Sequence, residues 1–146
     1  MQSDDFQLDR FRHAQEGRHA AALRELLAGR KRSHWIWFVF PQLRGLGHSA
    51  NSVAYGLSGL EEARAYLADP MLGQRLREAT RAMLTHESLS AEKVLGELDA
   101  QKFRSCLTLF SLADPGERIF AVALAHFFAG EGDKRTLDLL AEKGKG

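Results

Sequence analysis

The residues best suited to chemistry are concentrated between Lys31 and Tyr55. Lys31-Arg32-Ser33-His34-Trp35-Ile36-Trp37-Phe38 sets an imidazole and two indoles directly behind a basic cluster. Such a mixture can build an aromatic wall with a cationic rim, which suits a planar or anionic ligand. Pro41-Gln42-Leu43-Arg44-Gly45-Leu46-Gly47-His48-Ser49 follows. Glycines there let backbone amides approach a ligand closely, and Arg44, His48 and Ser49 can donate to an oxyanion. His34 and His48 are the candidate general acid or base, because imidazole titrates near neutral pH. An ordinary reading stands beside this one: Trp35, Phe38 and Phe40 as core, Arg30 to Arg32 as solvated charges, and Gly45 to Ser52 as a loop with capping serines.

Two positions outside this segment join it. Gln15 falls on the apolar stripe of the first helix, where an amide must find hydrogen-bond partners. Arg104 and Thr108 share a helical face bordered by Ser105, which would complete an anion site if that helix packs near the glycine loop. Other chemistries have little support. No Gly-Lys-Ser/Thr follows the glycine loop, and no strand precedes it, so it is neither a P-loop nor a dinucleotide fingerprint. The histidines lack His-Glu-x-x-His or paired-cysteine spacing, so neither metal nor cofactor is expected. Ser49 beside His48 has no acid partner, and Cys106 lies on an apolar helix face as a buried thiol.

The elements that must position these groups read as helices. Leu8, Phe11 and Ala14 mark a first helix over about 5–16, and Ala20 to Leu27 a second closed by Gly29. Trp35 to Phe40 is rich in strand formers, but no second strand is evident to pair with it; a helix capped by Ser33 and ended by Pro41 is preferred. Ser58 starts a helix carrying Leu60, Ala63 and Leu67, and Asp69-Pro70 starts a longer one toward His86. Ser90, Asp99, Asp114-Pro115 and Asp133 each open a further helix. Ile119 to Ala125 is apolar all round, which marks a central buried helix. The expected architecture is all-α, one compact domain over 1–146 with about eight or nine short helices and flexible ends at 1–4 and 142–146.

Bulk properties bound the partners. The 146 residues fit one domain, and 45% hydrophobic with 27% charged residues is the composition of a folded globular protein. The formal net charge of +1 gives no global field for nucleic acid, which is an unexpected partner. Charge is uneven, however: Arg10 to Arg44 holds eight bases against two acids, while Glu87 to Glu142 holds ten acids against six bases. An anionic ligand is therefore expected to favour the first third of the chain. One cysteine, a polar Met1 to Asp5 and a longest apolar run of six residues, Trp35 to Phe40, point to a cytoplasmic protein with no membrane span. Nothing in the sequence sets an oligomeric state.

Lys31-x-Ser-His-Trp-x-Trp-Phe-x-Phe-Pro-Gln followed by Gly-Leu-Gly-x-Ser resembles the central signature of an all-helical bacterial family, domain-of-unknown-function family 1810. Phe11-x-x-Ala-Gln resembles its opening helix, Glu61 to Leu67 with Pro70 and Leu72-Gly73 its middle, and Lys102-x-Arg-Ser-x-x-Thr-Leu-Phe, Phe127-Phe128-x-Gly and Asp133-x-x-Thr-Leu its C-terminal half. The resemblance implies a compact helical, cytoplasmic domain without an established activity or cofactor. Its polar positions are matched by Gln15, Lys31, Ser33, His34, Gln42, Ser49, Arg104 and Ser105, whereas Cys106 replaces a more usual small hydroxyl residue. The label calpastatin often attached to members implies inhibitory segments that are disordered before binding, and this chain has instead the periodicity of a prefolded domain. The expected function is recognition of a small polar or anionic ligand, such as a nucleotide or phosphorylated metabolite, by Gln15, Lys31, Ser33, His34, Trp35, Trp37, Gln42, His48, Ser49, Tyr55, Arg104 and Ser105. The competing expectation is a non-catalytic module that docks a protein partner on the tryptophan segment.

Overall fold

A 17-residue helix, α8 (Glu97–Ala113), is the axis of the molecule, and nine of its residues are buried. Residues 6–144 are described by a computed structural model. Before α8 come α1 (Asp9–Gln15), α2 (His19–Ala28), α3 (Ile36–Val39), α4 (Ala50–Tyr55), α5 (Leu60–Ala68), α6 (Pro70–Leu84) and α7 (Ala91–Leu95); α9 (Ile119–Phe128) and α10 (Lys134–Gly144) follow it. Helices α3, α5, α7, α9 and α10 all pack on α8, while α6 joins α2, α5 and α9. One core runs through the domain, and aromatic pairs mark its course: Phe40 on Phe103 at 4.6 Å, Tyr66 on Phe110 at 5.6 Å and Phe110 on Phe120 at 5.6 Å between ring centres. The all-α class is as expected, with ten helices among the described residues.

Local signals explain most boundaries. Asp69 accepts from the amides of Met71 and Leu72 and caps α6, with Pro70 in its first turn; Ser90 accepts from Lys93, and Asp133 from Thr136. Elsewhere the boundaries move. Helix α1 is only Asp9–Gln15, and the trailing residues to 144 belong to α10; the other expected flexible residues, 1–4 and 145–146, lie outside those described. The Trp35 to Phe40 segment is helical, but as one short turn without a side-chain cap, because Ser33 is drawn away to Glu25. Gly59, not Ser58, precedes α5, and the amide of Ser58 donates to Glu62. Glu97 begins α8 ahead of Asp99, since Gly96 already breaks the chain. Asp114-Pro115 opens a turn, not a helix; α9 starts at Ile119.

Two expectations fail more instructively. The stretch 45–52 is not all loop: Ser49 accepts from the Ser52 amide and starts α4. And α9 is not sheathed on all sides. Only Phe120, Ala123 and Leu124 are buried, while Ala121, Val122 and Ala125 face outward, so α8 holds the centre instead.

The uneven charge along the chain is resolved by pairing across it. Arg10 meets Glu62 at 2.9 Å, Arg12 meets Asp69, and Lys31 meets Asp99 at 2.8 Å. Three of the eight early bases are thus matched by later acids, which ties α1 and the 30–35 segment to the body of the domain.

Glu25 organises that segment. Its carboxylate accepts from the Arg32 and Ser33 amides, the Ser33 hydroxyl and the Trp35 indole. Burial, the largest single influence, opposes its ionisation, but the four donors together outweigh it and lower the pKa from 4.5 to about 2. A depressed carboxylate pKa stabilises the fold fully above pH 4.5, and that contribution disappears as pH falls toward 2. After allowance for solvent screening, Glu25→Gln should cost about 1–2 kcal/mol at pH 7 and much less at pH 2.5. Paired urea titrations at the two pH values check this; an equal loss at both would show that the carboxylate charge plays no part.

Candidate functional site

A cleft of about 580 Å³ opens between the loop leading into α4 and the N-terminal half of α8. Trp37 and Gln42 line it from the α3 side, Leu46 to Ser49 with Ser52 form one wall, Leu98, Gln101, Lys102 and Ser105 the other, and Asp133 and Arg135 close an end. The α8 wall is a helical face by spacing, since 98, 101, 102 and 105 recur at i, i+3, i+4 and i+7.

Each wall is held in place by identifiable contacts. The loop wall hangs from a single parallel bridge between Leu43 and Leu57, in which the Leu57 amide donates to the Gln42 carbonyl at 2.9 Å and the Arg44 amide to the Leu57 carbonyl at 2.8 Å. Gly47 approaches α4 closely: a Cβ there would sit 2.6 Å from the Ser52 hydroxyl and displace it. That close approach lays the glycine loop flat against α4. The Ser49 hydroxyl donates to that of Ser52 at 2.9 Å. On the opposite side the Asp133 amide donates to the Thr108 hydroxyl at 2.9 Å, which docks the start of α10 on α8 and places Arg135 at the cleft. Asp133 itself is occupied as the cap of Thr136.

The lining carries a net charge of +1, Lys102 and Arg135 against Asp133, and His48 adds an imidazole. Asp99 lies 3.4 Å from Lys102 but is closer to Lys31, at 2.8 Å, so much of its charge is spent on Lys31. Gln42 is the unusual member. It is only 9% exposed, yet its side-chain amide makes no hydrogen bond to any described residue. Its amide atoms are not themselves buried, because among the described residues the buried side-chain polar atom without a partner is His19 Nδ1. What remains open of Gln42 lines the cleft, so its donor and acceptor are free for a guest.

Of the twelve residues expected from sequence, the structure brings Trp37, Gln42, His48, Ser49 and Ser105 together on this cleft. The other seven lie elsewhere, and most are engaged within the protein. Gln15 is buried, donating to the Phe38 carbonyl at 2.7 Å and the Tyr66 hydroxyl at 3.0 Å, and accepting from Arg75. Lys31 pairs with Asp99 and sits 5.1 Å above the Trp35 ring. Ser33 and Trp35 serve Glu25, and Trp35, 2% exposed, offers no surface anchor. Tyr55 packs on Phe11 and Phe38, beside a separate depression lined by Arg10, His13 and Arg18. Arg104 turns to Glu131 and Phe128. His34 is exposed and away from the cleft, which leaves His48 as the imidazole that lines it.

The residues missed were Leu46, Gly47, Ser52, Leu98, Gln101, Lys102, Asp133 and Arg135. Lys102 and Ser105 stood in one motif, and their i, i+3 relation was the available signal for the α8 face. Among the described residues no group of His, Cys, Asp and Glu could hold a metal ion, and no helix is long and apolar enough to cross a membrane. Cys106, fully buried, has its thiol pKa pushed up by desolvation.

A family model described as a protein of unknown function, DUF1810, matches residues 5–140. A solved structure, that of the conserved hypothetical protein Rv1873 from Mycobacterium tuberculosis, superposes with a TM-score of 0.92 at 47% sequence identity, covering 94% of this chain and 99% of that one. No curated protein matches the chain.

Proposed function

Because the chain belongs to the DUF1810 family, whose description assigns no activity, we propose from its own geometry that it binds a small, polar, anionic molecule in the cleft beside α8. The observation that carries this reading is Gln42, a largely buried residue whose side-chain amide meets no described hydrogen-bond partner and stays accessible on that cleft. Size and charge agree. The cleft volume of about 580 Å³ is that of a small-molecule site, and Lys102 with Arg135 supplies fixed positive charge. Lys31 supports the site at one remove, by sharing the Asp99 carboxylate with Lys102. A cytoplasmic setting is the companion proposal, in keeping with one unpaired, buried cysteine.

The test is a thermal-shift series with nucleotides, sugar phosphates and other phosphorylated metabolites. A native-state ligand at 100 times its Kd adds about 2.7 kcal/mol of stability and raises Tm. Lys102→Met should weaken binding of the best ligand roughly 10- to 100-fold, the worth of a charge-assisted hydrogen bond. No shift with any anion, or undiminished affinity in that variant, rejects the proposal.

A further inference from the structure

The cleft holds two kinds of surface that a simple phosphorylated sugar would not use together. Lys102 and Arg135 suit an anion, whereas Trp37, Leu46 and Leu98 are apolar. Leu98 is 78% exposed, the most open large apolar residue of the described chain, and it lies on the cleft wall. Trp37 is half-buried there, so part of its indole is available. The same cleft is lined by Gln42, whose amide offers an acceptor and a donor side by side in a single plane. A phosphate or a sugar hydroxyl satisfies one of those atoms. A planar ring edge with an adjacent donor and acceptor satisfies both.

We infer that the occupant is a nucleotide whose base is read at such an edge by Gln42 and carried against Trp37, with its phosphate toward Lys102 and Arg135. Adenine is the fitting base, because glutamine pairs in bidentate fashion with its N6 amino group and N7. Stacking on an aromatic side chain is general for bases and contributes substantially without choosing among them, so the choice falls to Gln42. The α8 face contributes to both ends of the guest: Leu98 covers apolar surface, and Lys102, one turn on, faces the anion. This inference rests on the cleft being a ligand site, and it narrows that site to one ligand class.

The experiment compares four probes by calorimetric titration of the whole chain: adenosine monophosphate, purine riboside monophosphate (which lacks the N6 amino group), ribose 5-phosphate and inorganic phosphate. Adenosine monophosphate should bind about 10-fold tighter than the purine riboside analogue, and about 100-fold tighter than ribose 5-phosphate. It should also quench indole emission, and that quenching should vanish in Trp37→Phe. Gln42→Leu removes no protein hydrogen bond, so it should fold normally and lose the preference for the amino group while keeping binding that depends on the phosphate. Ribose 5-phosphate binding as tightly as adenosine monophosphate, or a preference intact in Gln42→Leu, overturns the base-reading inference and leaves the anion site standing. No binding of any probe overturns both. The comparison between the two purine nucleotides is made on the unaltered protein, so it decides the matter even without a folded variant.

Discussion

Gly73→Ala is expected to destabilise the protein by about 3 kcal/mol, although it replaces glycine by alanine inside a helix. Helix propensity alone would stabilise by about 1 kcal/mol. Packing reverses the sign. Gly73 lies in the first turns of α6, against the last turn of α5, and a Cβ there would press into the Leu67 carbonyl oxygen and come within 3.0 Å of its carbon. The Arg77 side chain, also close, can swing aside; the backbone of α5 cannot. The two helices share one connecting residue, Asp69, which ends α5 and caps α6, so relief requires shifting α6 as a whole. Leu72 and Leu76 would then leave their places in the core. Urea unfolding measures the loss as a lower midpoint at unchanged slope. A midpoint equal to or above that of the wild type would mean that α5 and α6 separate freely and that this contact is not restrictive.

Gln15→Leu is expected to cost about 3 kcal/mol as well, by a different route. The Phe38 carbonyl and the Tyr66 hydroxyl both receive hydrogen bonds from the Gln15 amide, and Tyr66 is fully buried. Leucine fills much the same space but leaves the Phe38 carbonyl and the Tyr66 hydroxyl without that donor, each at about 1–3 kcal/mol, and the half-buried Arg75 without that acceptor, against a small gain in apolar burial. Tyr66→Phe should cost clearly less, because Gln15 then still serves Phe38. Ligand affinity, measured on the folded fraction, should not change in Gln15→Leu, since Gln15 is not on the cleft. An affinity loss matching that of Lys102→Met would return Gln15 to the binding site. A stability loss no larger than that of Tyr66→Phe would show that the Phe38 carbonyl finds another donor.

These two residues also show what a sequence can tell. An amide on an apolar stripe must find partners, and Gln15 does, but whether protein or ligand supplies them depends on which helix arrives opposite. Local signals such as Asp69-Pro70, Ser90 and Asp133 located helix starts, because a cap acts within three residues. Helix α4 was hidden because six residues framed by glycines and serines have too little periodicity to stand out. In α9 the alanines misled: Ala121 and Ala125 count as apolar in a pattern but expose little surface, so the helix tolerates an open face. The same limit applied to the site. Arg104 lies only about 100° around α8 from Ser105, and that step takes it from the cleft to Glu131.

The bridge between Leu43 and Leu57 fastens the intervening span at its base, and within that span Leu46 and Tyr55 rest on the core while His48 to Asn51 face outward. Lengthening or rewriting that span between Gly45 and Ala50 would reshape one side of the cavity while the fastening and the hydrophobic interior stay intact. Such an arrangement separates evolvability from foldability: descendants of this chain can acquire new chemical preferences by editing a tethered rim, without renegotiating the architecture beneath it.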